Sequence, residues 1–191
     1  AFTGHCAHYA LRGCDRWKTG CRACPQRRAY PQSLLLDQSR RNWLDKRALF
    51  ADLPSLRLTT PSHWLREQVA QSFLSDYPTD VLPNGVDRDV FRPLESDLRT
   101  RHGLQRSRVI LGVASSWGLP GKRLCDYPRL AALLPEGYRV VLIGLTERER
   151  RRMPEGVLAL PRTDTLEELA QWYTAADVCV SLSREESMGL T

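Results

Sequence analysis

The chain has 191 residues, 42% of them apolar, and a formal net charge of +6. This length allows one large domain or two small ones, and the ordinary apolar content excludes a low-complexity or fibrous chain. No apolar run approaches the ~20 residues of a membrane-crossing helix, and the first residues show no charged-then-apolar secretory leader.

Residues 1–31 are rich in Cys, Arg, Gly and aromatic side chains and follow neither a helical nor a strand period, so they read as a stapled loop. The segment 33–53 places Leu35, Leu36, Trp43, Leu44, Ala48 and Leu49 at helical spacing and predicts a helix. The run 56–60 predicts a strand, Ser62 a cap for a helix over 63–73, and 79–82 a second strand. Pro83-Asn84-Gly85 then reads as a turn. From 87 to 107 the chain is polar, contains Pro93, and reads as a linker with a surface helix.

After this linker the pattern changes. Apolar runs over 109–114, 138–144, 157–161 and 178–182 alternate with helices predicted over 124–134, 146–153 and 166–175. Thr165-x-x-Glu168 reads as a capping box opening the last helix. Continuous apolar strands alternating with helices predict a parallel sheet of Rossmann type, so the fold class is α/β. Cys125 and Cys179, each in an apolar context, are expected as small core residues.

Four constellations bear chemistry. Cys6, Cys14, Cys21 and Cys24 end in a C-x2-C pair that suits tetrahedral zinc, with His5 or His8 able to replace one thiolate. Two disulfides, free thiols and an iron–sulfur cluster are the alternatives. A closed four-thiolate shell leaves no open position, so no catalytic metal is expected. The turn Pro83-Asn84-Gly85-Val86-Asp87 falls between the two α/β-like stretches and reads as a hinge or a strand end. The loop from Ser115 through Trp117, Gly118 and Gly121 to Lys122 joins a buried strand to a helix, which puts amides and a cation beside any phosphate bound there. It lacks the Walker A spacing, which argues against an NTPase. Finally, 178–182 runs into Glu185-Glu186 with Ser187, Met188 and Gly189, where a carboxylate can accept hydrogen bonds from sugar or ribose hydroxyls.

Basic residues cluster at Arg27-Arg28, at Arg40-Arg41, and at Arg148 with Arg150, Arg151 and Arg152. Such a balance suits nucleic acid, anionic lipid or phosphorylated substrates. The run ERERRRMP reads as a solvated helix face, which leaves the N-terminal clusters as the better partner surface.

Read in order, AFTGHCAHY with GCDRWKTGCRACPQ, then TPSHWL, LPNGVDRDVFRP, GVASSWGLPGK and LAQWYTAADVCVSLSREESMGLT, the chain resembles the GT-B-fold, retaining, nucleotide-sugar-dependent glycosyltransferases of the large family four group. Within that group it is most similar to the bacterial exopolysaccharide and colanic-acid-type enzymes. The resemblance covers nearly the whole chain and implies parts of two Rossmann-like domains, truncated at both ends. Residues 1–90 would be the end of an acceptor-binding domain, with its Cys-rich loop at 1–31. Residues 91–191 would be the start of a donor-binding domain.

By this resemblance Lys122 stabilises the donor diphosphate, beside Trp117 and Gly121. Leu160, Pro161 and Arg162 fall where the nucleobase is held. Glu186 matches the first Glu of a Glu-x7-Glu motif near the donor sugar. Ser187, Met188, Gly189, Leu190 and Thr191 match a loop whose amides meet sugar and phosphate. Trp117 stands where many members carry Arg, five residues before the Lys. The second Glu would fall three positions beyond Thr191, and the acceptor-side His would precede Ala1, with His5 a weak substitute. The isolated chain is therefore expected to be inactive.

The implied protein transfers a hexose from a nucleoside diphosphate sugar to a polysaccharide or lipid-linked acceptor, with retention and without a catalytic metal. It would be cytoplasmic and could touch anionic lipid at the inner membrane face. Two other readings compete. In one, Cys6 to Cys24 with Arg12, Arg16, Lys18 and Arg22 form a zinc-ribbon-like nucleic-acid module, although the βαβ half argues against nucleic acid as the partner. In the other, the chain is a catalytically silent scaffold.

Overall fold

A computed structural model of the chain describes residues 13–28, 35–118, 122–183, 186, 188 and 189. The chain divides into two compact units, the first running to Asn84 and also taking in Glu186, Met188 and Gly189, the second beginning at Gly85.

In the first unit, a short 3-10 turn at Arg16–Lys18 precedes α1 (Ser39–Phe50). The turn and helix are joined through Trp43, whose indole Nε1 donates to the Trp17 carbonyl at 2.8 Å in a buried setting. Trp17, Cys21 and Trp43 form one apolar cluster with Phe73, whose ring meets that of Trp43 edge-on. The Arg40 guanidinium lies over the Trp43 ring and donates to the Gly20 carbonyl at 2.9 Å. The predicted helix thus starts later than its apolar spacing suggested. Asp37 accepts from the Ser39 amide at 2.9 Å and from the Cys24 amide at 2.7 Å, which ties the helix start to the Cys-rich loop. Of the apolar positions in that segment Trp43 is buried, whereas Leu35, Leu36, Leu44 and Leu49 are exposed.

A parallel βαβ turn follows: β1 (Leu58–Thr60), α2 (His63–Val69) and β2 (Thr79–Val81), with Leu58 opposite Thr79. The Ser62 hydroxyl accepts from the Leu65 amide, as its place before the helix predicted. The helix ends at Val69 rather than at 73, because Ser72 turns the chain by bonding the Val69 carbonyl at 2.7 Å and the Leu74 amide at 3.0 Å.

Pro83-Asn84-Gly85 forms no turn. The stretch 82–87 has neither turn nor bend, and the chain turns at 88–90, where the Asp87 carboxylate accepts from the Asp89 amide. An Asx turn three residues on has taken the role that Asn-Gly signalled.

The second unit is a four-stranded parallel sheet in the order β5-β4-β3-β6, with β3 at Arg108–Val113, β4 at Tyr138–Ile143, β5 at Val157–Leu160 and β6 at Val178–Cys179. Strand side chains alternate between faces, and the two cores obey that period. Val109, Leu111, Val141 and Ile143 pack with Leu98, Leu104, Trp172 and Ala175 on one face. Ile110, Val140, Leu142 and Val157 pack with Trp117 and Tyr127 on the other. Helices α3 (Leu98–Arg101) and α6 (Leu166–Ala175) cover the first face, and α4 (Asp126–Leu133) the second. Short α5 (Glu147–Arg150) joins β4 to β5.

Three expectations are corrected here. The 87–107 stretch is more than a linker, because Leu98 and Leu104 are buried and the His102 ring meets Trp172 at a tilt. The strand at 178–182 is short and lies at the sheet edge, so Val178 is 53% exposed and Cys179 is exposed too. Cys125 is likewise exposed at the start of α4, where its Sγ faces the Asp126 carboxylate. Neither cysteine is the core residue its neighbours suggested.

The complete capping box is at α5, where Thr146 and Glu149 each bond the other's amide. At α6 the Thr165 hydroxyl accepts from Glu168, but the Glu168 carboxylate reaches back one residue further, to the Asp164 amide. Among the described residues no helix is long and apolar enough to cross a membrane.

Candidate functional site

Because the four strands of the second unit are parallel, every loop that leaves a carboxyl end leaves by the same edge of the sheet. In such sheets the ligand crevice opens where consecutive connections diverge to opposite sides. Here the chain moves outward from β3 to β4 to β5 and then returns to the far side of β3 as β6. The divergence lies between β3 and β6, so the β3–α4 loop and the β6 loop flank it.

Lys122 lies in the first of these loops, just ahead of α4. The next residue, Arg123, has φ +54, a left-handed backbone that L side chains seldom adopt. An ion pair from its guanidinium to Asp126 and a bond from the Asp126 amide to the Arg123 carbonyl hold it there. The same ion pair lowers the Asp126 carboxyl below its ordinary range. Strained non-glycine backbone of this kind clusters at ligand-contacting loops.

At the other end of the loop Trp117 is buried, 4% exposed. Its Nε1 donates to the Ile143 carbonyl at 2.9 Å, and its ring meets Tyr127 edge-on at 5.1 Å. Its one polar hydrogen is thus engaged by β4. Trp117 thus anchors the loop to the sheet.

The β4 exit is closed against both neighbours. Gly144 has φ +98, and a Cβ there would strike the Ala114 carbonyl oxygen. Its amide bonds the Pro161 carbonyl at 3.2 Å, and the Leu145 amide bonds that of Leu160 at 3.1 Å. Arg162 therefore leaves β5 at the same edge, exposed, right after a tightly joined pair of loops.

On the β6 side, the Tyr127 hydroxyl donates to the Val180 carbonyl at 3.0 Å and accepts from the Leu182 amide at 3.2 Å. Burial raises the Tyr127 phenol above its ordinary pKa, partly offset by the Leu182 bond. Beyond this grip Glu186, Met188 and Gly189 are exposed. Gly121, Ser187, Leu190 and Thr191 lie outside the described residues, as do His5 and Cys6.

Cys14, Cys21 and Cys24 line one small cavity of about 20 Å³ together with Arg16, Gln26 and Ser39. The Cys14 and Cys24 thiols are free, and among the described residues no three His, Cys, Asp or Glu side chains are grouped to hold a metal ion. Cys21 packs between Trp17 and Trp43, and the Arg16 guanidinium occupies the carbonyls of Arg22 and Ala23. Indole packing and the Arg16 guanidinium organise the turn that carries Cys14, Cys21 and Cys24, while Cys6, the fourth thiol of the expected set, lies outside the described residues.

Two elements escaped the sequence reading. The first is Tyr127, an ordinary aromatic within a predicted helix. The second is Asp177, whose carboxylate accepts from the Val109 amide at 2.8 Å and pairs with Arg108 and Arg99. An Asp one residue before an apolar strand was the available signal for the second, and nothing local marked the first.

Comparison with known proteins agrees with the resemblance. No family model matches the chain. Over 90 residues it is 34% identical to WcaC of Escherichia coli (strain K12), assigned to colanic acid biosynthesis as a glycosyl transferase, covering 44% of this chain and 20% of that protein. Among solved structures it is similar to sucrose-phosphate synthase from Thermosynechococcus elongatus (TM-score 0.58, 21% identity, 82% of this chain and 42% of that one). It is also similar to Anabaena HepE, solved in complex with UDP-glucose (TM-score 0.60, 18% identity, 77% of this chain and 43% of that one). The chain has the α/β architecture, with parallel sheets, of part of a GT-B glycosyltransferase. It spans a fifth of the curated relative's length and less than half of the solved ones.

Proposed function

We propose that this chain is part of a retaining glycosyltransferase, its second unit binding a nucleoside diphosphate sugar and its first contributing to the acceptor side. The observation that carries the reading is the common edge of the parallel sheet, from which the Lys122 and Arg162 loops leave and at which β6 starts toward Glu186. HepE is described with UDP-glucose bound, and WcaC with colanic acid biosynthesis, which supports a nucleotide-sugar donor and a polysaccharide or lipid-linked acceptor.

The roles follow from charge. Breaking the bond between the anomeric carbon and the diphosphate leaves negative charge on the departing oxygen. A lysine held beside it offsets that charge most in the transition state. Glu186 would accept hydrogen bonds from sugar hydroxyls, Gly121, Gly189 and the 187–191 amides would approach phosphate and sugar, and Arg162 would border the base. The first unit would bind the acceptor, near a cytoplasmic membrane face.

Calorimetric titration of the chain with UDP and with UDP-glucose tests this reading. Binding of either nucleotide, weakened at least about tenfold in Lys122→Ala, is expected, since a bond to a charged group is at stake. Absence of binding to both by a folded wild-type chain would refute a uridine-nucleotide donor site.

A further inference from the structure

We propose that the Tyr127 hydroxyl is a clasp that positions the β6 loop against the Lys122 loop, and through this sets how the site receives the sugar end of its donor. The proposal rests on the donor-site reading above for its functional half, while its structural half stands on geometry alone.

Tyr127 belongs to the first turn of α4, the helix that the Lys122 loop enters. It is 2% exposed, yet its hydroxyl is fully used: it donates to Val180 and accepts from Leu182. These two backbone groups lie past the end of β6, where no strand partner holds them. The hydroxyl thus replaces a ladder hydrogen bond at the point where β6 becomes loop.

The ring is seated by two further features. Gly112 on β3 leaves the space it fills, since a Cβ there would lie 2.8 Å from the ring and 2.7 Å from Leu142. Trp117 packs edge-on against it while bonding β4. One aromatic pair therefore links the exits of β3, β4 and β6. A buried polar group satisfied twice by backbone is costly to leave unpaired, so the β6 loop has one favoured position relative to α4.

If Tyr127 acts only on packing, removing its hydroxyl lowers stability and disturbs all ligands alike. If it positions the β6 loop, the loss is selective. Lys122 would attract the diphosphate common to UDP and UDP-glucose, whereas the chain beyond Leu182 leads to Glu186, which the donor-site reading places at the sugar that only UDP-glucose has. Tyr127 is thus a positioning residue, and the split between the two ligands is its signature.

The experiment compares the wild-type chain with Tyr127→Phe by hydrogen exchange and by calorimetric titration with UDP and UDP-glucose. In the variant, exchange over 180–183 should speed up at least about tenfold, as expected when a buried hydrogen bond is lost. UDP-glucose should bind about tenfold more weakly, with a clearly smaller loss for UDP. Unchanged exchange, or an equal loss for both ligands, overturns the proposal. Should neither nucleotide bind the wild-type chain, the donor-site reading falls, and exchange over 180–183 still decides the clasp. Should Tyr127→Phe fail to fold, the Leu182 amide of the wild-type chain serves instead: slow exchange at this non-strand amide upholds the clasp, and free exchange overturns it.

Discussion

Asp177 shows how much one residue can organise. Its backbone bond from Val109, and then its pairs with Arg108 and Arg99, hold its carboxyl below the ordinary range. Such a group stabilises the fold above its unfolded pKa and loses that effect as pH falls through the lower folded value. Its contribution is therefore complete above about pH 4 and fades below that. Asp177→Ala should cost about 1 kcal/mol at neutral pH, and urea melts repeated between pH 3 and 7 should show the variant less acid-sensitive than wild type. Gly144 makes the opposite case, where a side chain is excluded. With positive φ and the Ala114 carbonyl in the way, Gly144→Ala should destabilise by about 2 kcal/mol or more, read as a lower urea midpoint. The reverse outcome, unchanged stability, would mean that the loops after β3 and β4 do not close against each other.

Among the elements, the short helices depend on their ends. α5 has four residues, too few to be stable alone, and its capping box satisfies amides at its start. Thr146→Ala should cost about 1 kcal/mol, whereas Thr146→Ser should keep most of the cap, and thermal melts of the pair check this. Elements were legible where a capping residue or a continuous apolar run marked them: Ser62, Thr165 and the runs on β3 and β4 behave as their chemistry predicts. They were misread where position in the sheet decided exposure. The run at 178–182 looks buried by composition, but it meets β3 on one side only, through Val178–Cys179 and the Val180 amide, and Tyr127 holds the Val180 carbonyl and the Leu182 amide. The same holds for Leu44 and Leu49, whose helical spacing is real but whose face lies open.

Across the second unit, two cores on opposite faces of one sheet make it cooperative. Tyr173, packed with the Trp172 side of that core, has its phenol pushed up to about 12, chiefly by burial. A phenol raised above its unfolded value stabilises the fold fully below about pH 10 and loses that effect as pH rises through 12. Of the chain's six tyrosines, Tyr173 should therefore ionise late, and ultraviolet titration of wild type against Tyr173→Phe should show the missing late step. An early, simple titration in wild type would place Tyr173 in solvent.

The alternation of apolar strands with helices, the caps and the order of the landmark segments are local properties, and the sequence by itself determined them: the parallel α/β class, the GT-B resemblance and Lys122 at a strand-to-helix loop. What filled each space was decided only by tertiary structure, because burial depends on neighbours far apart in the chain. Trp117 lies in the candidate donor loop, and it is Ile143, distant in sequence, that engages its indole. Cys21, one of the thiols at metal-ligand spacing, shares a buried cluster with Trp17 and Trp43. Tyr127 carried no local signal, because its role exists only once β6 has returned beside β3 and brought two backbone groups to its hydroxyl.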